Sequence, residues 1–267
     1  MTHPWFSPPA PRVLAHRGLV TLAAAADGVV ENSFLAVAAA HAEGIAYVES
    51  DCHLTADGVV VLWHDADLRR ITGDARPVAD CTVRELEHLM AERGGLITLA
   101  QALDTFPTLR FNLDVKTDAA AEPTGRLVAK YADRVLLTSF SDERRHAALA
   151  TAYTHGGHPA TSGGTSTVAR AVVAAAARSR AMLARAARGI HAVQVPERRN
   201  GIRIVTPHFV SACHDVGVEV HVWTVNQTPD MERLLDLDGR GHGVDGLITD
   251  RAEAAARVVR KIHPPRN

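Results

Sequence analysis

Residues 47 to 65, YVESDCHLTADGVVVLWHD, place Glu49, Asp51, His53, Asp57, His64 and Asp65 in a segment whose valines and leucines otherwise read as buried strand. Alternation along 49-51-53 sets Glu49 and Asp51 on one face, and converging carboxylate oxygens suit a hard cation such as Mg²⁺ or Ca²⁺. The segment Thr55-Ala56-Asp57-Gly58 is a turn signal, with Gly58 suited to a left-handed position. If 49–54 and 59–65 pair antiparallel across it, residues whose numbers sum to about 114 face each other. That register sets His64 beside Ser50, flanked by Glu49 and Asp51. An imidazole for proton transfer thus meets two candidate metal ligands.

The same kind of constellation recurs at two other strand ends. In RVLAHRG, apolar residues lead into His16-Arg17-Gly18, where an imidazole adjoins a guanidinium fork able to hold phosphate oxygens in two places. In FNLDVKTD, Asp114 and Lys116 are spaced i, i+2 and share a face: a third carboxylate for a cation, and an ammonium for an anion. A simple ion pair is the plain alternative for that last couple.

Something must bring these strand ends to one place. Short β-branched or apolar runs at 12–16, 46–51, 110–115, 134–139, 158–162, 191–195, 218–224 and 245–249 read as strands. Helical patterns lie between them at 33–43, 82–90, 98–105, 121–132, 141–152, 165–188, 207–216 and 228–237, the first capped by Asn32 or Ser33 and stopped by Gly44. Strands alternating with helices on this scale predict an α/β TIM (β/α)8 barrel with a β-hairpin after strand 2, a doubly wound open sheet being the competitor. One domain over 1–267 is expected, since the length suits one barrel. The stretch 19–30 reads as a loop, because Thr21 and Asp27 interrupt it and no basic region precedes it. The alanine-rich segment 165–188, with Arg170, Arg178, Arg180, Arg185 and Arg188, reads as a helix with a solvated basic face.

Bulk composition excludes several functions. With 29 basic and 30 acidic residues the formal charge is −1, which leaves no global field for nucleic acid or an anionic membrane. No apolar run is long enough to span a bilayer, so no stable membrane anchor is expected. Cys52, Cys81 and Cys213 lack the spacing of a zinc site or disulfide framework, which fits a reducing compartment and a cytoplasmic protein.

Taken together, AHRG, ENS at 31–33, ESD with LTADG and HD at 64–65, LDVK at 113–116, VWTVN at 222–226 and GVDGLITD at 243–250 resemble the glycerophosphodiester phosphodiesterase family. The resemblance runs in order from residue 13 to about 258. It implies a metal-dependent barrel hydrolase that splits glycerophosphodiesters into sn-glycerol 3-phosphate and an alcohol. Carried over by residue, Glu49, Asp51 and Asp114 would hold one divalent cation, Mg²⁺ or Ca²⁺, with Mn²⁺ as a further candidate. His16 and His64 would be the acid–base pair. Arg17 and Lys116 would clamp the phosphate, Glu31 and Asn32 would sit close by, and Trp223 would wall the glycerol pocket. Many relatives have Glu at the position of Asp114, and the shorter arm changes ligand reach. The short segment 66–97 predicts a small cap over the site. A lysophospholipase D-like activity would call for exposed apolar residues on the loop after His64, whereas ADLRRITGDARPVAD is polar and basic. A non-catalytic phosphate- or metal-binding barrel would predict damage to an essential group, and none is seen.

The remaining polar residues draw plainer readings. His53, Asp57, His221 and His242 read as structural or solvated, with His221 on the same strand face as Trp223. Asp65 is placed to orient His64 or Arg17. Asp250, before RAEAAARVV, reads as a helix N-cap. Ser139 lacks the glycine elbow of a nucleophilic serine.

Overall fold

A computed structural model describes residues 3–264. Its strands in chain order are β1 (Arg12–His16), β2 (Tyr47–Leu54), β3 (Val60–Leu62), β4 (Arg110–Val115), β5 (Val135–Thr138), β6 (Ala160–Thr161), β7 (Ala192–Pro196), β8 (Arg198–Arg199), β9 (Ile202–Arg203), β10 (Glu219–Trp223) and β11 (Gly246–Thr249). Its helices are α1 (Leu22–Ala26), α2 (Phe34–Ala42), α3 (Arg69–Thr72), α4 (Val83–Met90), α5 (Leu99–Thr105), α6 (Asp118–Val128), α7 (Asp142–Thr154), α8 (Thr165–Ala176), α9 (Arg180–Ala186), α10 (Pro207–His214), α11 (Thr228–Leu235) and α12 (Ala252–Ile262).

Eight strands pair in parallel in the order β6-β5-β4-β2-β1-β11-β10-β7, and a parallel bridge from Ser162 to Ala192 links the two ends. The result is a nearly closed TIM barrel with helices between the strands. Period-2 alternation decides what faces where. Outward residues such as Val48, Cys52, Phe111, Leu113, Val135 and Leu137 pack against Val37, Ala40, Leu99, Leu103 and Ala121 on the helices. Inward residues Leu14, Tyr47, Leu136, Ala160, Ala192 and Ile248 fill the barrel, and Trp5 and Phe6 plug it from below. Burying a large apolar side chain of this kind contributes about 1.5–3 kcal/mol. Gly246 is inward too, and a Cβ there would lie 2.7 Å from the His221 ring. The absent side chain makes room for that fully buried imidazole, which contacts Gln194 and Glu219 in the middle of the barrel.

The hairpin register matches the expected sum: Cys52 pairs with Leu62, His53 with Val61 and Leu54 with Val60. The Trp63 N–H donates to the Asp51 carbonyl at 3.0 Å, which carries the pairing on toward His64. Between β2 and β4 the cap has a small core of its own, including Trp63, Leu68, Val78 and Met90.

Three local expectations are corrected, and one element was not anticipated. The stretch 19–30 holds a short helix, α1, because the Thr21 hydroxyl caps it at the Ala24 N–H. The helix expected over 165–188 is two, α8 and α9; Arg178 adopts φ 53° and Ser179 caps the second. All five of its arginines are exposed. The helix expected at 121–132 begins at Asp118, whose carboxylate favours the first turn, and passes into a tighter turn after Val128. Finally, Asn200 and Gly201 both take positive φ, 51° and 80°, and form the two-residue turn of the unexpected β8–β9 hairpin. No helix among the described residues is long and apolar enough to cross a membrane.

Candidate active site

Parallel register sets the chemistry at one height. His16 pairs with Glu49, Asp51 with Asp114, and Asp114 with Thr138, so the C-terminal ends of β1, β2 and β4 carry the charged groups side by side. They line one open cleft of about 930 Å³ including its mouth, together with Arg17, His64, Lys116, Phe140, Arg199 and Trp223. This is the end of a barrel at which βα loops build active sites.

Each histidine is held by a carboxylate of its own. The Nδ1 of His16 donates to Asp250 at 2.6 Å, and the Nδ1 of His64 donates to Asp65 at 2.7 Å. Asp250 is therefore not a helix cap: α12 starts from Arg251 without a side-chain cap, while inward alternation along Gly246, Ile248 and Asp250 aims the carboxylate into the mouth. Asn226 donates to Asp250 at 2.6 Å and accepts from its N–H, which fixes it further. Burial pushes the His16 pKa down, but the bond to Asp250 and the charge of Glu49, 3.9 Å away, more than reverse that and leave it raised. Asp250 itself is held below the usual carboxylate range by His16.

Arg17 and Asn32 both occupy left-handed backbone, at φ 59° and 54°. Strain of this kind persists only where the surroundings over-determine it. Here the Arg17 N–H donates to the Glu49 carbonyl and the Asn32 N–H to the Arg17 carbonyl, each at 2.8 Å. The guanidinium of Arg17 reaches Glu31 at 2.6 Å, with its Nε 3.3 Å from Asp51. Asn32 is buried; its amide donates to Asp51 at 3.0 Å and accepts from the Ser50 hydroxyl at 2.5 Å. Both of its polar atoms are thus engaged in orienting Asp51.

The acids are incompletely neutralised. Lys116 Nζ lies 2.8 Å from Asp51 and 2.7 Å from Asp114, and the two carboxylates raise its pKa against the effect of burial. Glu49 Oε2 and Asp114 Oδ1 are buried with no hydrogen-bond partner among the described residues. Burial, then the neighbouring charge of Asp51, pushes the Glu49 carboxyl up to about 8; burial raises Asp114 as well. Among the described residues no three His, Cys, Asp or Glu side chains converge as a ready-made cation cage, because Lys116 sits between Asp51 and Asp114. The donor set nevertheless suits a hard divalent cation: two orphaned carboxylate oxygens on adjacent strands, with a third carboxylate between them in sequence.

Across the cleft the lining changes character. Phe140 stands edge-on to Trp223 with ring centroids 5.9 Å apart, and Lys116 lies 5.6 Å from the centre of the Phe140 ring. Ser139 is buried and donates to the Val115 carbonyl, so its hydroxyl is structural. His53 is buried against the His64 carbonyl, Asp57 caps the turn and the N–H of Val83, and His242 pairs with Asp238 on the surface. Asp250, Asn226, Arg70 and Arg199 are site residues that sequence reasoning missed. Alternation along GLITD was the available signal for the first, and Asn-Gly for the hairpin that carries the last.

Comparison with known proteins finds relatives over nearly the whole chain. Residues 16–254 match the model of the glycerophosphoryl diester phosphodiesterase family. A probable glycerophosphodiester phosphodiesterase 2 from Mycobacterium tuberculosis is 35% identical over 249 residues, covering 92% of this chain and 89% of that protein. Among solved structures, a putative glycerophosphoryl diester phosphodiesterase from Silicibacter pomeroyi superposes with a TM-score of 0.70 at 21% identity, covering 98% of both chains. An Oleispira antarctica phosphodiesterase in complex with the product sn-glycerol-3-phosphate superposes with a TM-score of 0.64 at 19% identity, covering 94% of this chain and 97% of that one. The chain belongs to the glycerophosphoryl diester phosphodiesterase family.

Proposed function

We propose that this chain hydrolyses glycerophosphodiesters to sn-glycerol 3-phosphate and an alcohol, using His16 and His64 as its proton carriers and one divalent cation. The observation that carries the reading is that both imidazoles, each oriented by its own carboxylate, share one cleft with Arg17 and Lys116. A phosphodiester is anionic and repels a nucleophile, so its charge must be balanced where a base and an acid also reach it. Family membership and the named activities of the relatives support the same reaction.

Glu49, Asp51 and Asp114 would hold the cation, which when bound polarises a phosphoryl oxygen and offsets the developing charge. Mg²⁺ or Ca²⁺ suits the oxygen donors, with Mn²⁺ a further candidate. Arg17 and Lys116 bind the phosphate oxygens, and Glu31 aims the Arg17 fork. Asn32 acts one step back, by orienting Asp51. Trp223 packs against the glycerol. His16, whose bond to Asp250 favours the protonated imidazole, is the better placed to give a proton to the leaving alkoxide; His64, with Nδ1 fixed on Asp65, presents Nε2 as the base.

The polar cap argues against a lipid substrate, since Leu68 and Val78 point into its core and Arg69 is exposed. Three buried free cysteines suit a reducing compartment, and the reading places the enzyme in the cytoplasm. The test is a panel of glycerophosphodiesters incubated with Mg²⁺, Mn²⁺ or Ca²⁺, with released sn-glycerol 3-phosphate measured. Turnover of at least one member is expected; none for any member with any metal would favour a binding module instead.

A further inference from the structure

Arg70, on the four-residue helix α3 of the cap, makes two short ion pairs at the rim of the cleft. Its Nε donates to Asp65 Oδ2 at 2.6 Å and its Nη2 donates to Glu31 Oε1 at 2.6 Å. The other oxygen of Asp65 holds His64, at 2.7 Å. The same Glu31 oxygen also accepts from Arg17, at 2.6 Å. One guanidinium therefore closes an unbroken chain, His64–Asp65–Arg70–Glu31–Arg17, that continues to Asp51. We propose that Arg70 is a positioning residue, which sets the imidazole of His64 through Asp65 and the phosphate-binding fork of Arg17 through Glu31.

The geometry favours this over a solvated surface pair. A guanidinium is planar and offers its donors in a fixed fork, so it can meet two carboxylates at once where a lysine ammonium meets them only as a point charge. Its backbone is fixed by the cap: Leu68 is fully buried, the Leu68 N–H donates to the Arg76 carbonyl, and Trp63 donates to the Asp67 carbonyl. Without Arg70, Asp65 would be free to turn away from His64. Glu31 would likewise lie against Arg17 alone, and the pair would close on itself rather than leave the fork aimed at the cleft. The cap, short as it is, thereby acts on both the proton carrier and the anion clamp without touching substrate.

The proposal rests on the hydrolytic reading, and its two arms can be separated from it. Steady-state kinetics on the best diester of the panel would be measured for wild type, Arg70→Met and Arg70→Lys, alone and in Asp65→Asn and Glu31→Gln backgrounds, with thermal midpoints as a check on folding. Arg70→Met is expected to lower kcat roughly tenfold and raise KM roughly tenfold, in the range typical of outer-shell partners. The kcat loss should vanish in the Asp65→Asn background and the KM loss in the Glu31→Gln background, and Arg70→Lys should recover at most one of the two. Unchanged kcat and KM in folded Arg70→Met, or losses that persist undiminished in both backgrounds, would overturn the proposal. Should wild type cleave no diester, the hydrolytic reading fails by itself. Calorimetry of sn-glycerol 3-phosphate then reads the Arg17 arm, with about tenfold weaker binding by Arg70→Met expected and equal affinity overturning it.

Discussion

At the lower end of the barrel Arg12 is 3% exposed, yet it donates to both carboxylate oxygens of Glu219 at 2.9 and 2.7 Å and to the carbonyls of Phe6 and Pro8, leaving only its Nε without a partner. At the upper end Glu49 and Asp114 are nearly as buried, at 7% and 5%, and each keeps a carboxylate oxygen with no partner. Both ends take charge out of water, which is expensive unless it is matched. The lower end matches it within the chain and so closes the barrel. The upper end leaves negative charge unmatched beside Lys116 and Arg17, and the uncharged form of Glu49 persists to about 8 as a result. Imbalance at the strand ends that face the cleft is what a cationic ligand would relieve, and it marks those ends as functional.

This contrast can be broken from either end. His16→Ala or His64→Ala should each lower kcat by about 10²–10⁴-fold while moving the urea midpoint little, since neither ring supports the barrel. Full activity in either variant would remove that residue from the mechanism. Arg12→Met should do the reverse: a loss of about 3 kcal/mol in urea unfolding, because it takes the guanidinium from the half-buried carboxylate of Glu219 and from the two carbonyls of Phe6 and Pro8, with kcat of the folded fraction unchanged. A selective loss of kcat instead would mean that the lower end is coupled to the chemistry.

Finer changes sharpen the comparison. Asp250 raises the His16 pKa, so Asp250→Asn should shift the His16 limb of the pH–rate profile to lower pH; a shift upward would contradict the assignment. In the absence of divalent cation the buried Glu49 carboxyl makes stability depend on pH. Below 4.5 the carboxyl is protonated whether folded or not; between 4.5 and about 8 only the unfolded chain ionises, so stability falls as pH rises through that window. Adding Mg²⁺ at pH 7 should release protons in calorimetry run in two buffers, and Glu49→Gln should lose that release.

Much of the frame was legible because it is local. Each of the eight barrel strands overlaps a run picked out by alternation and β-branched content, and the hairpin register follows from the turn at Thr55-Ala56-Asp57-Gly58. What stayed hidden is either a local break without a stop signal or a contact made at long range. Nothing in the alanine-rich 165–188 announces the turn at Arg178. Asp250 reads as a cap when only its neighbours are seen; its bond to His16 spans 234 positions and exists only once β1 and β11 pair. Arg70 lay in plain view as a basic residue, but its two partners come from separate loops. The three carboxylates proposed to hold a cation were legible as residue types, whereas the placing of Lys116 between Asp51 and Asp114 was not.

The most direct measurement is release of sn-glycerol 3-phosphate from a single glycerophosphodiester by the purified protein, before chelation, after chelation and after Mg²⁺ is returned. Loss of turnover on chelation and its recovery on restoring the cation, with Asp114→Asn recovering poorly, is the predicted result. Turnover that survives complete chelation would contradict the claim that the unmatched carboxylates at the barrel mouth exist to hold a cation.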